Sequence, residues 1–195
     1  MIEYRPIKGS DIPRIVALFS EFLSTGQPIS DSIRALWKQG LYKGYAAVED
    51  GEMLGFMTVS SGIAFTYPHP ELEAELAGIV QGETVAYCDA LLVLPGHRNR
   101  GVAHELASRC RGMLRRRNVT YLLVEIWIYP DGRIPGKPVY DTIGKLVWQK
   151  RIEGFYKDME RYGMSCPICG RNCVCGAWVE LLQIEYPEKK READK

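Results

Sequence analysis

Residues 84–116 constrain the fold more than any other stretch. Thr84–Leu94 reads as a strand, Pro95-Gly96 closes it, and Val102, Ala103, Leu106, Ala107, Cys110, Met113 and Leu114 then recur at helical spacing. A strand that turns within a few residues into an amphipathic helix must lay that helix on its own sheet. All-helical and all-β architectures are therefore excluded.

The flanking chain is consistent with this. Ile2–Ile7 reads as a first strand. Ser10 and Asp11 supply cap chemistry and Pro13 sits in the first turn of a helix that buries Ile12, Ile15, Val16, Phe19, Phe22 and Leu23. A second helix is expected from Asp31, with Ile33, Leu36 and Trp37 inward. Asp50-Gly51 is a hairpin turn between strands at Tyr45–Val48 and Met53–Val59. Ser60–Gln81 is less regular; it holds Tyr67-Pro68-His69-Pro70 and a short helix over Glu71–Val80. Tyr121–Ile128, apolar apart from Glu125, has the pattern of a central strand. Tyr129–Pro138 is a loop, Asp141 is expected to open a long helix ending at Gly163, and Trp178–Ile184 is the last strand. In that helix Ile143, Val147, Ile152, Phe155 and Met159 would face inward. The expectation is one domain over 1–186 built on a mixed α/β sheet, with a cysteine-rich insertion at 164–177 and a charged tail at 187–195.

The 195 residues carry 25 Lys and Arg against 24 Asp and Glu, a net charge of +1. That balance disfavours a nucleic-acid wrapper or a polybasic membrane protein. The arginines are nevertheless uneven: seven fall between His97 and Arg117, with Glu105 as the one acid. A nucleic-acid patch and a solvated helix face are the two readings, and the near-neutral total favours the second. No stretch approaches the roughly 20 apolar residues that span a bilayer. The start, Met1-Ile2-Glu3-Tyr4-Arg5, lacks the form of a signal peptide, so a reducing cytoplasm is the expected compartment.

The turn itself carries chemistry. Arg98-Asn99-Arg100-Gly101-Val102-Ala103 lies where a strand ends and a helix begins. Helix-start N–H groups are unpaired and sit at the positive end of the helix dipole, so they attract phosphate. Gly101 and Ala103 keep bulk away from that backbone, and Arg98 and Arg100 add charge. The stretch lacks both a P-loop lysine and the three-glycine dinucleotide fingerprint. An ordinary basic turn is the alternative.

With Arg98, Gly101 and Ala103 at the spacing Arg/Gln-x-x-Gly-x-Gly/Ala, preceded by Val93 and Pro95, the chain resembles the GNAT superfamily of acyl-CoA-dependent N-acyltransferases. The resemblance extends over roughly residues 1 to 186 and implies a GNAT-like, mostly antiparallel central sheet with flanking helices. It implies that the pyrophosphate of acetyl-CoA lies on the amides of Arg98, Asn99, Arg100, Gly101, Val102 and Ala103. The pantetheine would pair with the backbone of Leu91, Leu92 and Val93, and the strands carrying Leu92 and Trp127 would splay apart around the acyl group. The acceptor would be a primary amine of a small molecule or of a protein, and such enzymes often dimerise. A catalytically silent GNAT-like binding module, contacting protein or nucleic acid through its cysteines, is the alternative from another class.

Acetylation of an amine needs a base and an acid. Asp89, four residues before Val93, is the first candidate base, with Glu83 and Glu125 behind it; a structural role for Asp89 is the alternative. The family's acid is often the Tyr of a Phe/Leu-Tyr-x-x-x-Gly-Phe stretch that ends the last helix. Phe155-Tyr156-Lys157 resembles it, although Gly163 follows Tyr156 by seven residues instead of four. Tyr156 is accordingly the candidate acid, with Tyr162 and a plain core role as alternatives.

Of six cysteines, Cys166, Cys169, Cys173 and Cys175 fall within ten residues. Cys166-Pro167-Ile168-Cys169-Gly170 has the form of a zinc knuckle, and Cys173-Val174-Cys175-Gly176 would complete four thiolates around one structural zinc ion. Disulfides or a vestigial motif are the alternatives. Zinc ribbons usually separate their pairs by a dozen residues or more, whereas here three intervene. Cys88 and Cys110 are expected as packing residues, His69 in a loop and His104 on an exposed helix face.

Overall fold

The computed structural model describes residues 1–24, 26–62, 70–170 and 172–184. The stretch around His69 and the charged tail lie outside them, as does the side chain of Tyr162. Seven strands form one sheet in the order β1-β2-β3-β4-β5-β7-β6. They are β1 (Glu3–Pro6), β2 (Tyr42–Glu49), β3 (Glu52–Ser61), β4 (Val85–Val93), β5 (Tyr121–Ile128), β6 (Lys145–Ile152) and β7 (Gly176–Gln183). Every pair is antiparallel except β4 with β5. The helices are α1 (Ile12–Phe22), α2 (Gln27–Lys38), α3 (Pro70–Val80), α4 (Val102–Arg116) and the single turn α5 (Lys137–Tyr140).

Each helix lies on the sheet by the stripe its sequence spacing gives it. On one face α4 buries Val102, Leu106, Cys110 and Leu114 against Met57, Val59, Leu122 and Val124. On the other, α1 and α2 bring Ile15, Leu18 and Ile33 to Tyr42, Phe56 and Leu92. Farther along that face, Leu72, Leu76 and Val80 of α3 meet Leu123, Val179 and Leu181. The mixed α/β expectation holds.

One large element does not. In place of the helix expected from Asp141 to Gly163 come a turn that follows α5, the edge strand β6, and a second turn ending in a short 3-10 segment at Met159–Tyr162. The spacing of Ile143, Val147 and Ile152 suits a helix, but residues 145–152 pair with β7 from Lys145↔Gln183 to Ile152↔Ala177. An edge strand covered on one face tolerates the exposed Leu146 and Val147, and pairing outweighs local periodicity. α2 also begins four residues before Asp31, at Gln27, with Pro28 in its first turn.

The connection from β6 to β7 crosses the end of the sheet to meet the α1–α2 connection. Ser24 Oγ donates to the Ser165 carbonyl at 3.4 Å. Gly26, at φ +141°, sits so close that a Cβ would lie 2.4 Å from the Gly163 carbonyl oxygen. Gly26→Ala is therefore expected to cost about 1–3 kcal/mol in denaturant unfolding, from backbone strain and the lost approach. A variant as stable as the parent would show that this contact is not held in solution.

Candidate active site

The sheet is interrupted in one place. β4 stays paired with β3 as far as Val93↔Gly55, but with β5 it pairs only at Val85↔Tyr121, Ala86↔Leu122 and Tyr87↔Leu123. Beyond Tyr87 the two parallel strands part, while β5 continues alongside β7 to Ile128↔Gly176. Among the described residues the edge of Cys88–Val93 that faces β5 has no strand partner. An unpaired edge of this kind offers N–H and C=O groups in register to an extended polar ligand. Leu91, Leu92 and Val93 lie on it. Their side chains anchor it from both faces, Leu91 and Val93 in the α4 core and Leu92 in the α1–α2 core.

The free edge leads into the basic turn. Gly101 is the N-cap of α4 at φ +77°, ψ 0°, and no side chain caps the helix. Open space surrounds Gly101, so its left-handed backbone, and not crowding, is what calls for glycine there. Asn99 is left-handed as well, at φ +60°. The first-turn N–H groups of α4 therefore stand ready for an anion. Arg98 Nε donates to the Val93 carbonyl at 3.0 Å and ties the turn to the strand end. Arg100 reaches away, to His97 Nδ1 at 2.9 Å and Glu49 Oε2 at 3.3 Å.

Asp89 stands where the strands separate. Thr58 pairs with Ala90 and Val59 with Cys88, so Asp89 is the extra residue of a β-bulge. Ser60 Oγ donates to its Oδ1 at 2.8 Å, while Oδ2 is sealed from solvent without a hydrogen-bond partner. Burial, with a smaller push from Glu125, raises the Asp89 carboxyl from 3.8 to about 7, against the pull of the Ser60 hydrogen bond. Glu83 lies at the paired end of β4, where its carboxylate accepts from Thr120 Oγ1 at 2.7 Å; that is a structural post.

Two tyrosines border the gap. On the α4 side the Tyr140 hydroxyl lies 3.7 Å from Sγ of Cys88, in an environment that raises its pKa well above the ordinary value, chiefly by burial. Cys88 and Cys110 both pack in the α4 core as expected, Cys110 with its Sγ 3.6 Å from the Met57 carbonyl oxygen. On the opposite side Tyr156 packs on Trp127, with ring centroids 5.8 Å apart. Burial also raises Tyr156, and Glu125 adds to the effect.

The four cysteines stand behind Trp127 and Tyr156. Their sulfurs all lie within 4.8 Å of one another, Cys169 to Cys175 at 3.5 Å and Cys166 to Cys175 at 3.9 Å. Four sulfurs about 2.3 Å from a tetrahedral zinc ion would be about 3.8 Å apart, so the set fits that ion. Cys166 and Gly170 form a two-residue bridge, with Gly170 N–H on the Cys166 carbonyl at 2.8 Å. This tight turn aims both thiols of the knuckle inward despite the short gap to the second pair.

Comparison with known proteins agrees with this geometry. The sequence pattern of the Acetyltransferase (GNAT) family matches residues 12–144, about two thirds of the chain. The chain belongs to the GNAT acetyltransferase family. Curated protein sequences give no significant match. Among solved structures, NAA60 of Arabidopsis thaliana in complex with acetyl-CoA is similar at a TM-score of 0.66 and 20% identity, over 94% of this chain and 99% of that one. The same protein with a bisubstrate analogue gives 0.67 and 21%, over 95% and 100%. The ribosomal-protein-S18-alanine N-acetyltransferase of Escherichia coli gives 0.60 and 15%, over 97% and 98%.

The structure places Tyr156 differently from the expected helix end. Tyr156 does not end a helix; it lies in the turn after β6. The spacing of four from tyrosine to glycine is met earlier, at Tyr140-Asp141-Thr142-Ile143-Gly144, where α5 runs toward β6. That pattern was available in the sequence but was hidden by the expected helix from Asp141.

Asp89 also bears on stability. Between about pH 4 and 7 the folded protein keeps a proton on Asp89 that the unfolded chain has released, so this group's contribution to stability falls as pH rises and levels off above about 7. Asp89→Asn is expected to raise the melting temperature near pH 8, with the gain shrinking toward pH 4. Parallel melting curves at both ends would show that Asp89 titrates normally.

Proposed function

We propose that the protein is an acetyl-CoA-dependent N-acetyltransferase whose acceptor is a primary amine of a small molecule or of a protein. The observation that carries this is the free edge of β4 leading, through the short turn at Pro95–His97 and the basic stretch after it, to the uncapped start of α4. The backbone of Leu91, Leu92 and Val93 pairs with the pantetheine, and the amides from Arg98 to Ala103 hold the pyrophosphate. The solved neighbours crystallised with acetyl-CoA and with a bisubstrate analogue support the reading.

The reaction joins the amine nitrogen to the thioester carbonyl carbon and breaks the carbon–sulfur bond. One proton leaves the nitrogen and one must reach the departing sulfur. Asp89, ionised above about pH 7, takes the first, directly or through water. For the second, Tyr140 is favoured over Tyr156 because its hydroxyl sits beside β4 at Cys88, on the α4 side of the gap. Its raised pKa keeps it protonated and able to donate. Tyr156, which lies against the cysteine site, shapes the acceptor side. Amides near Val93 polarise the thioester carbonyl.

We further propose that Cys166, Cys169, Cys173 and Cys175 hold one zinc ion. Four thiolates close the coordination shell, so the ion is structural and brings rigidity to the connection between β6 and β7.

Purified protein should release free thiol from acetyl-CoA when primary amines are supplied. Asp89→Asn should lower kcat by roughly 100-fold and flatten the fall in rate expected below about pH 7. Tyr140→Phe should lower kcat by a similar factor with acetyl-CoA affinity kept, and Tyr156→Phe should chiefly raise the acceptor KM. Acetyl-CoA binding without turnover on any amine would instead favour the silent binding module. Elemental analysis is expected to give one zinc per chain, and chelation to lower the melting temperature; a folded protein with four free thiols and no metal would refute the site.

A further inference from the structure

The four sulfurs of the cysteine site are not solvated alike. Cys166 Sγ accepts from the backbone N–H groups of Ile168 and Cys169, both at 3.4 Å. Cys173 Sγ accepts from the N–H of Cys175 at 3.4 Å. The N–H of Val174 serves Cys169. All these donors belong to the cysteine loop itself.

Cys175, fully buried, is placed differently: it packs in one cluster with the indole of Trp127, from β5. The sheet register explains this. Trp127 pairs with Ala177 and Ile128 with Gly176, so the ring stands over the residue that precedes β7. It packs into the cluster formed by Cys166, Cys173 and Cys175. Its Nε1 is sealed from solvent and has no closed hydrogen bond of its own. A buried indole N–H without an acceptor is costly, and a thiolate is the acceptor within reach.

We infer that Trp127 is the N–H donor to the fourth sulfur of the metal site, its indole closing onto the metal-bound sulfur of Cys175, and that it thereby ties the site to the wall of the acyl-transfer gap. The inference rests on the zinc reading above. Four thiolates on one divalent ion leave excess negative charge on sulfur, and donors around the sulfurs hold it. Three sulfurs take their donors from the loop; the fourth takes one from the sheet. The same ring meets Tyr156 on one side and Tyr129 edge-on at 5.6 Å, so its orientation sets that aromatic wall. Trp127 is a positioning residue here, acting on the acceptor side through the metal site.

The test begins with metal content of the full chain. A wild-type protein that binds no zinc overturns the metal reading and this inference together. In zinc-loaded protein, Trp127→Phe keeps the ring and removes the donor. Competition with a chromogenic chelator is expected to show zinc affinity weakened about 10- to 100-fold, the usual effect of losing an outer-shell donor. Unchanged affinity in a folded variant overturns the inference while leaving the zinc site standing. A second measurement needs no substitution. In wild-type protein loaded with cadmium-113, one indole N–H resonance should show coupling to the metal through the N–H···S bond. Absence of coupling at every indole, with backbone amides of the cysteine loop coupled, overturns it equally.

Discussion

The parting of β4 from β5 after Tyr87 is the constraint on which the rest of this molecule depends. Two parallel strands that separate leave two rows of backbone groups without partners, and a sheet tolerates this only if each strand is held elsewhere. β4 is held by β3 from Ala86 to Val93, apart from the bulge at Asp89, and β5 by β7 throughout, so neither is an orphan. The bulge at Asp89 belongs to the same device: it breaks the β3–β4 register where the separation starts and brings a carboxylate to the opening.

The two walls of the gap are built on different physics. The β4 wall is ordinary core: Leu91, Leu92 and Val93 grip opposite faces, and the backbone edge between them stays presentable because the side chains do the anchoring. The β5 wall ends in Trp127 and Tyr156, large rings backed by a loop too small to have a core. There the proposed metal site would take the place of apolar burial as the source of order, as is common where a segment cannot bury enough surface by itself. The contact of that loop with the α1–α2 connection at Ser24 and Gly26 carries the bracing across the end of the sheet.

Legibility divided along the range of the interactions. The strand–turn–helix at 85–116 was readable because its determinants are local: Pro-Gly after a strand, glycine where a left-handed N-cap is required, apolar residues at helical spacing. The cysteine cluster was readable for the same reason. β6 was not, since Ile143, Val147 and Ile152 suit a helix and only the partner strand, some thirty residues away in the chain, decides otherwise. The same pairing takes Tyr156 off any helix end, while the Tyr-to-Gly spacing of four falls at Tyr140-Gly144.

The sequence by itself therefore determined the basic strand-to-helix turn, the sheet class and the presence of four thiols able to share an ion, each a matter of neighbouring residues and elementary chemistry. Tertiary structure alone decided that Asp89 is buried with one unsatisfied oxygen, that Tyr140 meets Cys88 on the α4 side of the gap, and that Trp127 packs with Cys175. These are contacts between strands and loops far apart in the chain, and only the register of the sheet brings them together.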